Sequence, residues 1–165
     1  MCQSSRMEME DGQFSIEQEV RIAAPREAAW RGLLDVGAWW CHHFAKAGPR
    51  MVLEPFPGGR FYEDSADGTR ALFGTVTFIR APEVIRLAGP LGMSTLPVVS
   101  VYEWALAEDG PGASVLRLSH HARGLIRTDW REAHDRGWQT LWVRLRALVE
   151  RGERYVHVPM PGTNA

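Results

Sequence analysis

Polar and apolar residues alternate from the start of the readable pattern. Phe14, Ile16, Val20 and Ile22 recur with period two, which predicts a half-buried strand. In "APREAAWRGLLD" the period changes: Pro25 stands where a fixed φ suits a helix start, and Ala28, Ala29, Leu33 and Leu34 follow at helical spacing. "VGAWWCHHF" predicts a second short helix or turn, separated from the first by Gly37. From Met51 onward the grammar is that of a meander. Pro57-Gly58-Gly59 joins 51–55 to 60–64, Asp67-Gly68 leads into 70–80, and Ala81-Pro82-Glu83 leads into 84–88. "VVSVYEWALAE" and "ASVLRLSHHA" complete it across "DGPG". The last element, from Asp129 to about Arg151, carries Trp130, Ala133, Gly137, Trp138, Leu141, Trp142, Leu145 and Leu148 at spacings of three and four, which predicts one long amphipathic helix. Thr128 or Asp129 is its expected N-cap, with Glu132 completing a capping box from Asp129.

One strand, two short helices, six meandering strands and a long terminal helix make an α+β domain whose antiparallel sheet curls round that helix. The order and its motifs resemble the START-like (SRPBCC) superfamily, and within it the C-terminal domain of the activator of heat-shock protein 90 ATPase. The residues that carry the resemblance are "VRIAAPREAAWRGL", Trp39-Trp40, "PGGRFYE", "GTVTFIRAPEVIRL" and "HDRGWQTLWVRLRALV", spread over about 17–149. The resemblance implies a helix-grip fold, a curved seven-stranded sheet around a C-terminal helix with a cavity between them, and it puts the Gly58-Gly59 hairpin near the mouth. It also brings two activities into view, polyketide cyclase-like chemistry and stimulation of a chaperone ATPase. The activator carries an additional N-terminal domain with no counterpart in this sequence, so a chaperone contact is the weakest of the implied roles.

The 165 residues fit one domain, expected over 13–151, with a flexible leader at 1–12 and a C-terminal tail at 152–165 broken by Pro and Gly. A net charge of -1 and a pI near 6.6 argue against a nucleic-acid partner. Two cysteines, one of them in the polar leader, do not make a disulfide framework, and no stretch approaches the length of a membrane span, so the reading is a cytoplasmic protein. The sequence leaves a homodimer open.

Strand parity narrows the candidate site. Glu103 marks the outward set of its strand, so Ser100, Tyr102, Trp104 and Leu106 point in; Arg117 and Ser119 do the same for Leu116, Leu118 and His120. Seven Trp and three Tyr are many for one domain, and an aromatic cavity with a few polar atoms is what a small-molecule site looks like. The expected ligand-binding cavity comprises Trp39, Trp40, Phe44, Phe61, Tyr102, Trp104, Leu118, His120, Gly137, Trp138, Leu141 and Trp142, with "GPLGMSTLPV" as an adaptable lid. Gly137 has two readings, close helix-to-sheet contact or cavity wall, because a helical Gly costs about 1 kcal/mol against Ala and needs a reason.

No cofactor motif is present: "PGGRFYED" runs into another strand, whereas a phosphate cradle runs into a helix N-terminus. Cys41-His42-His43 and His120-His121 are sequence neighbours that point different ways, so no metal is expected. Among catalytic groups only His120 offers a candidate, a general base oriented by Tyr102 or Trp104; Asp35, Glu63 and Asp64 read equally well as solvated surface, and no constellation supports catalysis. The residues therefore favour a binding protein for a small apolar, aromatic or lipid-like ligand over a cyclase, dehydratase or hydrolase.

Overall fold

A computed structural model describes residues 9–158. Its elements are β1 (Met9–Ile22), α1 (Arg26–Leu34), a single 3-10 turn (Val36–Ala38), β2 (Met51–Leu53), β3 (Arg60–Asp64), β4 (Arg70–Arg80), β5 (Val84–Gly89), β6 (Val98–Glu108), β7 (Ser114–Arg127) and α2 (Trp130–Arg151). The seven strands form one antiparallel sheet in the order β1-β7-β6-β5-β4-β3-β2, and the buried face of α2 shares one core with its inward residues. This is the helix-grip arrangement expected from the order of elements.

Five of the six neighbour pairs are consecutive hairpins; the sixth, β1 with β7, joins Ile22 to Ser114 and Met9 to Arg127 across the length of the chain. The pairing extends β1 beyond its alternating segment. Residues 9–12, expected in the leader, pair with 124–127, because β7 is long enough to supply partners whatever the side chains are. Residues 1–8 of that leader and 159–165 of the tail lie outside the described residues.

Three further expectations are corrected. The second short helix is only the turn Val36–Ala38 with Gly37 inside it; the break comes at Asp35, whose N–H closes onto Arg31 and Gly32 carbonyls. The capping box does not form, since Arg127 takes the Asp129 carboxylate in a two-pronged pair at 3.1 and 2.9 Å and leaves the N-cap without a side-chain bond. Residues 153–155 are laid back along the domain: Tyr155 N–H donates to the Ala38 carbonyl at 2.7 Å and Arg154 meets Asp35 at 2.9 Å. Gly152 makes that reversal possible in the left-handed region, φ 71°, with its N–H on the Ala147 and Leu148 carbonyls.

The inward parity of β6 and β7 places Ser100, Tyr102, Trp104, Leu106, Leu116, Leu118 and His120 in the buried core. α2 adds Trp138, Leu141, Trp142 and Leu145, and α1 adds Ala29, Trp30 and Leu33. Gln18 ties β1 to α2: its amide donates to the Asp135 carbonyl and carboxylate, both at 2.9 Å, and its oxygen accepts Trp142 Nε1–H at 2.9 Å. The Pro57-Gly58-Gly59 turn is structural. Gly58 has φ 87°, and a Cβ on Gly59 would overlap the Glu54 carbonyl.

Candidate functional site

Most of the space between sheet and helix is occupied by rings. Trp138 stacks on Trp142 at 5.2 Å, Trp40 meets Phe61 edge-on at 4.8 Å, and Trp39 meets both Trp104 and Trp142 within 6 Å. Trp39, Phe61, Tyr102, Trp104 and His120 have no exposed surface, and Leu118 and Trp142 have almost none. Seven of the twelve residues expected to line a cavity thus fill it.

What stays open is a pocket of about 430 Å³ at one end, over the first turns of α2. Of the twelve, Trp40, Phe44, Gly137, Trp138 and Leu141 line it. Cys41, His42 and His43 join them from the segment after the 3-10 turn, Phe73 from β4, Leu91 and Gly92 from the expected lid, and Ala133 and His134 from α2. The Gly58-Gly59 hairpin contributes nothing to this lining. The pocket exists because α2 presents Ala133 and Gly137 there, where a larger side chain would fill the gap. A Cβ on Gly137 would meet only the His42 ring, at 3.4 Å, so the helix is not pressed onto the sheet at this point.

Two loops shape the mouth. Pro90-Leu91-Gly92-Met93 is a tight turn closed by Met93 N–H on the Pro90 carbonyl at 2.8 Å, with φ of 42° at Leu91 and 84° at Gly92. That pair of angles suits Asn-Gly, and Leu91 adopts it while its side chain stays buried against the pocket. The other loop hangs on Glu63, which is fully buried and accepts from Phe44 N–H at 2.9 Å, Ala45 N–H at 2.8 Å and Ser65 Oγ–H at 2.8 Å. Glu63 is therefore structural acid, not solvated surface, while Asp64 pairs outside with Arg50 and Arg70. Trp40 Nε1–H on the His42 carbonyl, 2.7 Å, closes the loop on itself.

His120 does not reach the pocket. Trp138 Nε1–H donates to its Nδ1 at 3.2 Å, so the ring proton sits on Nε2 and is donated to Ser100 Oγ at 2.7 Å. Burial first, and then His134 and His121 nearby, push it down to about 3. A neutral base with both nitrogens engaged inside the core has no substrate to act on. Tyr102, its supposed orienting group, donates instead to the Phe73 carbonyl at 3.2 Å, and burial holds its phenol well above the ordinary range. Among the described residues no three His, Cys, Asp or Glu side chains converge on a metal position, and no helix is long and apolar enough to cross a membrane.

Helical spacing could have found His134: it lies one turn before Trp138 on the same face as Gly137 and Leu141. Parity could have found Glu63, two residues beyond inward Phe61. Nothing in the sequence orients Cys41, His42, His43, Leu91 or Gly92, which lie in irregular backbone.

No family model matches the chain, and no curated protein matches it. Solved structures do. A protein of Chromobacterium violaceum is 25% identical with a TM-score of 0.61, over 82% of this chain and 96% of its own. An uncharacterised protein of Rhizobium leguminosarum is 20% identical with a TM-score of 0.65, over 87% and 98%. A Mesorhizobium loti protein is 21% identical with a TM-score of 0.63, over 85% and 99%. These likenesses run nearly the full length of each neighbour, and what they show is the fold: a seven-stranded antiparallel sheet closed by a C-terminal helix.

Proposed function

We propose that this protein binds a small apolar or aromatic molecule in the pocket above the first turns of α2, and that it is a member of the START-like superfamily. One observation carries the binding reading: an open volume of about 430 Å³, lined mainly by aromatic and aliphatic side chains, at a place where the helix offers Ala133 and Gly137. Pockets for small ligands run to ~300–1,000 Å³ with a few polar groups among apolar ones, and this one has that character. Membership of the superfamily is supported by the order of elements and by the quoted motifs. Because the deeper aromatics pack on one another, the ligand lies between the two mouth loops and α2 and does not penetrate the centre of the sheet.

Native mass spectrometry of gently purified protein and thermal-shift screening against aromatic and lipid-like compounds test this, with two variants at Gly137. Gly137→Ala keeps the pocket and, with its methyl in ordinary contact with His42, is expected to stabilise the helix by about 1 kcal/mol. Gly137→Leu is expected to fold and to lose binding, its side chain taking the ligand's place. A Gly137→Leu protein that still binds as wild type, or a wild type that captures no compound, would sink the reading.

A further inference from the structure

The three histidines at the pocket have all committed a donor to the backbone. His42 Nε2 lies 3.2 Å from the Gly137 carbonyl, His43 Nε2 3.1 Å from the Trp40 carbonyl and His134 Nδ1 2.8 Å from the Trp130 carbonyl. A carbonyl oxygen only accepts, so each facing nitrogen carries the proton, and a neutral ring then holds a bare lone pair on its other nitrogen. For His42 and His43 that nitrogen is Nδ1, whereas the His134 ring also engages the Leu91 backbone and offers no free lone pair. His43 Nδ1 is buried and has no hydrogen-bond partner among the described residues. Burial lowers the pKa of both His43 and His134, which keeps these rings neutral near neutral pH.

The other polar groups of the lining do not change this balance. Trp40 and Trp138 spend their indole N–H groups on the His42 carbonyl and on His120. No Asp, Glu, Lys or Arg lines the pocket. A ligand therefore meets aromatic surface with the His42 lone pair open in it, while the Cys41 thiol, a weak donor, is engaged by Arg144.

We propose that the pocket selects uncharged ligands whose apolar or aromatic body carries a hydrogen-bond donor, a hydroxyl or a ring N–H, over carboxylates and over donor-free molecules of the same shape. This rests on the binding reading above. A hydroxyl satisfies an imidazole lone pair; an ether in its place sets lone pair against lone pair. A carboxylate adds negative charge where no lining cation compensates its desolvation, the nearby Arg144 guanidinium being engaged with Cys41 and the Tyr155 ring, and an ammonium group lacks a lining carboxylate to offset its own.

The test uses three probes with one ring system: β-naphthol, its methyl ether and β-naphthoate, titrated calorimetrically into the full chain at about pH 8, above the ordinary imidazole value of ~6.5. β-Naphthol is expected to bind about fivefold or more tighter than the ether, the equivalent of one net hydrogen bond, with naphthoate weakest. His42→Phe, at an exposed ring, should bring the ratio towards one. Equal binding of all three, a lead for the ether or naphthoate, or a preference unchanged in His42→Phe overturns donor selection and leaves the pocket standing. Failure of all three to bind removes both readings.

Discussion

His120 shows how one side chain's surroundings decide its chemistry. On sequence it is an inward histidine beside aromatic residues, and it could serve as a base or as part of the core. In the fold it bridges Ser100 and Trp138 as a neutral ring without access to the pocket. Its folded pKa of about 3 lies below the ordinary 6.5, so the unfolded chain takes up the proton first as pH falls. The stability it confers is therefore complete above about pH 6.5 and is lost progressively down to about pH 3, amounting to about 5 kcal/mol over that window. His134 and His43, also lowered by burial, act in the same direction. Denaturant unfolding followed from pH 7 to pH 4 should show this decline, and His120→Gln should flatten it while lowering stability at pH 7. A wild-type curve as flat as the variant's would contradict the buried neutral ring.

At the scale of elements, the segment between the 3-10 turn and β2 has no ladder of its own, and it is held by side chains of β3 and of the turn that follows, Asp67 taking the Lys46 and Ala47 N–H groups. Glu63 holds Phe44 and Ala45 by their N–H groups and is itself held by Ser65. Removing the carboxylate leaves three donors without an acceptor in a buried place, at about 1–3 kcal/mol each before the loop relaxes. Glu63→Ala is expected to lose about 2–5 kcal/mol of stability in chemical denaturation. Amide exchange should accelerate over 41–46 ahead of the sheet, and ligand affinity should fall with it because Phe44 belongs to the pocket. Glu63→Gln, which retains one acceptor oxygen, should fall between the two. Unchanged exchange in this loop would show that something other than Glu63 orders it.

For the whole molecule, the described part of the chain end closes the structure behind the pocket. Tyr155 stacks on His43 at 5.9 Å and 17°, and the Arg144 guanidinium lies 4.4 Å from the same ring. The strap thus ties α2, through Arg144, to the 35–43 segment. Tyr155→Ala should cost about 1–2 kcal/mol, a fall in Tm of about 2–8 °C, from the lost cation-π contact and ring burial. It should also weaken binding by loosening His43, whereas Val156→Ala, at a side chain left in solvent, should change neither. A Tyr155→Ala protein with wild-type Tm would mean that the strap rests on the domain without holding it.

Element order, strand parity and the amphipathic face of α2 are local properties of the chain, and each was legible because side-chain direction in a helix or strand follows from spacing alone. That is why Tyr102, Trp104, Leu118 and His120 could be placed inward from their polar neighbours, and why Gly137 stood out in a helix that should not want it. Whether those inward residues face a ligand or one another depends on distances between elements far apart in sequence. β1 pairs with β7 across about a hundred residues, α2 crosses their face, and the aromatic volume brought together there fills the centre while a pocket stays open above Ala133 and Gly137. The pocket's polar character was decided later still. Cys41, His42, His43 and Leu91 lie in backbone without a period, so only tertiary hydrogen bonds, Glu63 to the Phe44 and Ala45 amides and His42 to the Gly137 carbonyl, determine which atoms they turn towards a ligand.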